Sequence, residues 1–319
     1  MFSLESRRLW RYICFMRRLI ILFVIITVVL AVVIYEGLLA HRKMLVDKSL
    51  KQVFSSGTNQ GTVLRELQKM GAKAVPAEVQ ALAQTGEIGS AAELALLNNR
   101  SATNVLPEVV PLLENINPEV RLQAAGIVMD KIVNNIRSPD ISYLPVLIRA
   151  LSDTNEFVRE DMALALGKYG PAGQTAVPAL VNAMDDGSAR VRIMAATTLS
   201  EIDSSQNAAA IPVLQGVITN GNARDRHWAA VYLHKIEPRN ADLIPVFIGS
   251  LTNGAIEIRI SAAYSLLAYG SQAKAAVPAL LDMLKERDSE ARKSARAALE
   301  KINPEVLKNA GGQADVTTP

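Results

Sequence analysis

The chain has 319 residues, half of them hydrophobic but only 5% aromatic, with a formal net charge of +3 and one cysteine. That length allows a large buried core or a stacked array, and the lone Cys14 excludes a disulfide framework or a thiolate metal site from the body. The first 18 residues hold five of the 34 basic residues and one of the 31 acidic ones, so the remainder, at 29 against 30, is near neutral and has no general attraction for nucleic acid.

Residues 1–18 form a basic segment carrying Arg7, Arg8, Arg11, Arg17 and Arg18. Leu19 to Tyr35, LIILFVIITVVLAVVIY, is an uncharged apolar run. At ~1.5 Å per residue it covers ~25 Å. The following Gly37-Leu38-Leu39-Ala40 extends it toward the ~30 Å of a hydrocarbon core, so a transmembrane helix is predicted over 19–40. A cleaved signal peptide is the competing reading. Its apolar region is shorter, ~7–15 residues, and Leu38 fits the −3 position of a cleavage site badly. Arg42, Lys43, Lys48 and Lys51 follow the span. The excess of arginine before it places the N-terminus in the cytoplasm. The reading is a single-pass protein with its body across the membrane, which in a bacterium is the inner membrane and the periplasm. Residues 41–57 are expected to form a linker helix.

From residue 58 a repeat takes over. Pro76, Pro107, Pro145, Pro178, Pro212, Pro245 and Pro278 are spaced by 31, 38, 33, 34, 33 and 33 residues, each after an apolar pair. Fourteen residues after each of the last six stands an arginine: Arg121, Arg159, Arg192, Arg226, Arg259 and Arg292. Small residues follow at +3 or +4, often as pairs such as Ala195-Ala196, and Leu or Val stands at +7. Pro178 suits the start of a helix, where its missing N–H costs nothing. Asp185-Asp186-Gly187-Ser188 reads as a turn and cap. ARVRIMAATTLSEI has helical spacing of apolar residues, and Gly170 and Gly270 end second helices. Each unit is a helix hairpin that cannot bury both faces alone, so the units must stack. The fold class is all-α: an α-solenoid, a superhelix of stacked helix hairpins, preceded by one transmembrane helix. About seven repeats fill 58–303. Residues 58–98 serve as an N-terminal cap, with Ile88 in the arginine position. The sequence NNIRSPDIS inserts a longer loop, and the tail 304–319 is expected to be disordered.

The pattern VR-x-x-A-A-x-x-L, with Asp or Asn just before it, resembles the HEAT repeat, and the Pro-led period of 33 is most similar to HEAT-like repeats of the phycobilisome-lyase type. The resemblance implies that second helices line a concave surface. It is compatible with scaffolds, adaptors and a few enzymes.

The arginine ladder is read as structural, each guanidinium bridging to the next inter-helix turn at Asp153, Asp186, Asn220 or Asn253. The alternative is a ladder that binds an extended anionic partner. In the second helices the positions −1, +3, +7 and +10 from the arginine form the core stripe. Positions +2, +6 and +9 are mostly polar (Gln123, Asp161, Ser261, Ser294, then Asp130, Lys168, Glu201, Lys301) and are expected to face solvent. In RHWAAVYLHK, residues 226–235, Trp228, Tyr232 and Lys235 take those positions, flanked by His227 and His234. The two histidines are seven residues apart, ~10.5 Å along a helix, too far for easy chelation of one metal ion. No His-Glu dipeptide, Walker loop or GxSxG occurs. No metal, cofactor, small-molecule substrate or enzyme activity is therefore expected. Trp228, Tyr232, His227, His234 and Lys235 are the candidate protein-binding patch, with packing against the next helix as the alternative. The functional reading is a membrane-anchored scaffold or adaptor. The alternatives are a bilin-lyase-like enzyme or assembly factor, suggested by the resemblance, and a docking subunit of a larger membrane complex.

Overall fold

The computed structural model describes residues 75–82, 87–98, 102–136 and 139–307, and every regular element among them is helical. The expected N-terminal basic segment, transmembrane helix and linker helix lie outside the described residues. So do residues 308–319 of the tail, while 304–307 form a turn of helix. Among the described residues no helix is long and apolar enough to cross a membrane. The chain divides into two compact units, Met1–Asn99 and Arg100–Pro319.

In the first unit α1 (Val75–Leu82) and α2 (Glu87–Asn98) pack together, and Val75, Ala81, Leu82, Ala92, Ala95 and Leu96 are buried. In the second unit the described residues form six helix hairpins in sequence. They are α3 (Ala102–Val109) with α4 (Pro118–Asn135), α5 (Leu144–Ala150) with α6 (Glu156–Gly167), and α7 (Val177–Ala183) with α8 (Ala189–Ile202). Then come α9 (Asn207–Asn220) with α10 (Ala223–Ile236), α11 (Ile244–Asn253) with α12 (Ile256–Leu267), and α13 (Val277–Met283) with α14 (Ser289–Ile302). The second helices α4, α6 and α8 pack in a row, and so do α12 and α14.

The repeated residues explain this arrangement. Pro145, Pro178, Pro245 and Pro278 sit in the first turn of their helices, where no intrahelical donor is lost. Pro212 instead lies inside α9, because residues 207–211 add a turn before it. Asn117, Asn155, Asn222 and Asp288 cap second helices with side-chain acceptors. Gly170 and Gly270 adopt φ of +50° and +52°, the left-handed conformation that ends a helix cheaply only with glycine. At +3 stand Ala124, Met162, Ala195, Ala229, Ala262 and Ala295, all fully buried, and the small residues let neighbouring helices approach. At +7 Leu166, Leu199, Leu266 and Leu299 are also fully buried, each contributing ~1.5–3 kcal/mol of apolar transfer.

Each ladder arginine folds back on its own turn. Arg159 donates to the carbonyls of Asp153 and Thr154, Arg192 to those of Asp186 and Gly187, and Arg292 to those of Glu286 and Arg287. Three arginines also reach a carboxylate one hairpin ahead. Arg121 bonds Asp153 (2.6 and 3.3 Å), Arg159 bonds Asp186 (2.7 and 2.9 Å) and Arg259 bonds Glu286 (2.9 and 2.7 Å). The expected use of Asn220 and Asn253 requires correction. α9 runs on to Asn220 and α11 to Asn253, leaving two-residue turns. Between α5 and α6, α7 and α8, and α13 and α14, five residues form the turn that presents the acid. The short turn at 221–222 depends on Gly221, where a Cβ would meet the Val217 carbonyl oxygen at 2.6 Å. Among the described residues no carboxylate pairs with Arg192 or Arg226.

Arg159 and the Ser188 amide hold the Asp186 carboxyl below the usual carboxylate range. The folded state therefore releases the Asp186 proton more readily than the unfolded chain does, and the pair stabilises the fold above the unfolded pKa and less as pH falls through the folded one. Asp186→Asn, which keeps an acceptor for Ser188 but removes the charge, is expected to cost about 1–3 kcal/mol in urea unfolding at neutral pH. Arg226→Gln, at a rung without a carboxylate, is expected to stay within about 0.5 kcal/mol of the parent in the same measurement.

Candidate functional site

The helix that carries the candidate patch, α10, starts differently from its neighbours. Asn222 Oδ1 accepts from the Asp225 amide (2.9 Å) and Asn222 Nδ2 donates to Asp225 Oδ2 (2.7 Å), a reciprocal cap at the short turn. Asp225 takes the −1 position, where Val120, Val158, Val191, Ile258 and Ala291 stand elsewhere, and is itself buried.

The five candidate residues separate onto two sides of α10. His227 is fully buried, so it is not available to a partner. Its Nε2 lies 3.0 Å from Ser261 Oγ on α12, and its ring meets the fully buried Phe247 at 6.0 Å between centroids. His234 is half-buried and also edge-on to Phe247, at 6.3 Å. Its Nδ1 lies 2.9 Å from Tyr269 Oη, which donates to the Asn240 carbonyl at 3.1 Å. With its one proton so used, Tyr269 must accept, so the neutral His234 carries its proton on Nδ1. Both histidines are thus packing groups between α10 and the following hairpin. Burial lowers the pKa of each, for His227 to about 4.

Trp228, Tyr232 and Lys235 stay together on the side toward α8. The Trp228 and Tyr232 rings are 6.5 Å apart and both half-buried, and the Lys235 ammonium sits 4.8 Å over the Tyr232 ring. A cleft of about 240 Å³ runs from Trp228 and Tyr232 to Glu160, Leu164, Arg190 and Met194. A second, of about 520 Å³, continues past Tyr232 and Lys235 to Lys168, Thr198 and Glu201. Tyr232 is the ridge between them. Its hydroxyl pKa is raised by burial, then by Glu201 and Glu160. On α6 the Asp161 carboxyl is pushed up to about 7 by burial and by neighbouring Glu160.

The expected solvent stripe is corrected in part. Gln123 and Ser294 at +2 are buried, and so are Ile127, Ala165, Thr198 and Ala298 at +6. Second helices lie side by side, and these positions fill the space between them. Thr198 donates to the Ala163 carbonyl across it, and a Cβ on Gly167 would meet Glu201 Oε2 at 2.5 Å. Position +9 is the most open, with Lys168, Glu201, Lys235 and Lys301 exposed and Asp130 half-buried. No other described second helix has an aromatic residue at +2 or +6. Sequence reasoning overlooked the cleft's other walls. Arg190 and Arg224 stand two residues before their ladder arginines and Glu160 one after Arg159, so the register that aligned the units already held the signal. It also missed Lys131, buried in the core stripe beside Asp130.

A family description reading "HEAT repeats" matches residues 144–234. No curated protein matches the chain. Among solved structures, a chain in a structure of Kap95p with RanGDP is 13% identical over 83% of this chain and 44% of its own, at a TM-score of 0.50. This chain therefore spans less than half the length of that one, and the likeness shows the fold alone. The Escherichia coli protein YibA is 20% identical over 77% of this chain and 88% of its own, at 0.49. An engineered protein is 21% identical over 84% and 82%, at 0.39. Over residues 144–234 the stacked hairpins are similar to HEAT repeats.

The buried His227 gives a measurable consequence. It stays neutral in the fold down to about pH 4 but takes a proton near pH 6.5 when unfolded, so stability falls as pH drops through that window and is unaffected above it. Between pH 7.5 and 5 the loss from this residue is about 2 kcal/mol. Asp161 acts in the opposite sense. The comparison is therefore with His227→Gln, whose urea stability should lack that loss at each pH.

Proposed function

We propose that the chain is a non-catalytic scaffold that holds a protein partner through the Trp228–Tyr232 ridge and its two clefts, at a membrane surface to which residues 19–40 anchor it. The observation that carries the reading is the half-buried aromatic pair lining two open clefts. Trp228 and Tyr232 stand where the other described second helices place smaller side chains that pack against their neighbours. Large, rigid aromatics that keep part of their surface open beside pockets are the usual centres of protein interfaces. The clefts, at about 240 and 520 Å³, suit individual side chains of a partner. The HEAT-like fold supports the scaffold reading, since such solenoids commonly serve as binding surfaces. The anchor rests on the apolar run LIILFVIITVVLAVVIY behind five arginines.

Crosslinking mass spectrometry on intact membranes should recover a partner peptide joined near Lys235 or Lys168. The double variant Trp228→Ala/Tyr232→Ala should weaken capture of that partner by at least about tenfold without changing the unfolding midpoint by more than a few degrees. Unchanged capture by a folded double variant would remove the site assignment. A C-terminal topology reporter checks the anchor independently: activity on the cytoplasmic side would reverse the orientation.

A further inference from the structure

The ladder contains its own reference for what an arginine at this place binds. At three rungs the guanidinium side chain is 15–24% exposed and grips a carboxylate from the next hairpin through two hydrogen bonds. Arg226 has the same origin on its helix but is exposed, and its one side-chain bond among the described residues is to the Gly221 carbonyl at 3.3 Å. The acid-bearing turn ahead of it is missing, because α11 runs through to Asn253 and the turn shrinks to two residues. In its place a groove of about 620 Å³ opens between the start of α10 and the α11–α12 hairpin. Arg224 and Arg226 form one wall, and Pro245, Val246, Gly249 and Ile258 give the opposite side an apolar surface.

We infer that the rung at Arg226 is a docking point for an acidic segment of a protein partner. A partner carboxylate takes the place that Asp153, Asp186 and Glu286 fill at the other rungs, and an adjacent apolar side chain of the same segment packs on Pro245, Val246 and Ile258. Charge complementarity selects the occupant: Arg226 and Arg224 border the groove, Arg224 also feels Glu160 from the neighbouring cleft, and Asp225 beside Arg226 is buried and bonded to Asn222. The planar fork of arginine matches a carboxylate in two-point contact, the arrangement seen at three other places in this chain. The apolar wall distinguishes a peptide from a free anion, which would gain nothing from it. Arg224 borders both this groove and the Trp228–Tyr232 cleft, whereas Arg226 lines the groove and not the cleft, so Arg226 distinguishes the two surfaces.

The test uses the purified full-length chain and fluorescence anisotropy with a labelled peptide in which Asp and Glu alternate with Leu. Its counterpart has Asn and Gln at the acidic positions. The acidic peptide is expected to bind about tenfold or more tightly than the amide peptide, more weakly as salt rises, and Arg226→Gln is expected to abolish that preference. Trp228→Ala/Tyr232→Ala should leave it unchanged, so the two surfaces can fail separately. Equal binding of both peptides, no binding, or a preference that survives Arg226→Gln overturns the inference. Capture of phosphatidylglycerol vesicles that Arg226→Gln removes, without acidic-peptide binding, overturns it in favour of a lipid surface.

Discussion

The guanidinium at the inter-helix turn ties one hairpin to the next at three places in the second unit. A hairpin of two short amphipathic helices leaves one face bare, so the array stands only if each hairpin meets the next in a fixed register. Apolar burial supplies attraction but little direction, since Ala and Leu faces can slide. The arginine supplies direction. One nitrogen closes the carbonyls of its own turn, and the other two reach a carboxylate one hairpin ahead, as in Arg159 with Asp153 and Asp186. Asp186 in turn receives the Ser188 amide, so one carboxylate joins the start of its own helix to the preceding hairpin.

The middle of the array departs from this scheme in several ways at once. Between α9 and α10 and between α11 and α12 the turns shorten and the carboxylates vanish. The start of α10 is instead stabilised locally, by the Asn222–Asp225 cap. At the Arg226 rung aromatic packing stands where the ion pair is missing: His227, Phe247, His234 and Tyr269 interlock α10 with the hairpin that follows. Substituting ring contacts for a salt bridge removes a polar constraint from the edge and leaves both the Arg226 groove and the Trp228–Tyr232 face open.

Much of the array was legible in the sequence because stacking repeats its demands. Proline, arginine, paired alanines and leucine recur at fixed offsets, and those offsets alone gave the helices, the turns and two of the three true rungs, Glu286 being the acceptor they left unnamed. What sequence could not supply was the local length of a turn. Asn220 and Asn253 keep the register of Asp153 and Asp186, yet the glycine after each allows the first helix to run on, so an equal spacing hides a different geometry. The split of the candidate patch was equally hidden. His227 and Trp228 are neighbours in sequence, but 100° of helix rotation sends one into the core and the other to the surface. Helical offset placed them on one broad face, and only the positions of α8 and α12 decide which side each belongs to.

The two histidines show why an unusual residue in a repeat need not be a functional one. His227 stands where it can bond Ser261 and abut Phe247, and His234 where it can donate to Tyr269. Ser261 and Tyr269 have counterparts in Ser294 and Tyr169 at the same repeat positions, so the neighbour peculiar to this place is Phe247, which both rings meet edge-on. Trp228 and Tyr232 are half-buried too, but the surface they keep lines two clefts. A repeat protein discloses its binding surface through residues that stacking does not use, and the test for that status is the surface left open after every neighbour has been placed. By that criterion α10 presents Arg226 and Lys235 fully and Trp228 and Tyr232 in part, His227 serves the frame, and half-buried His234 is tied to it through Tyr269.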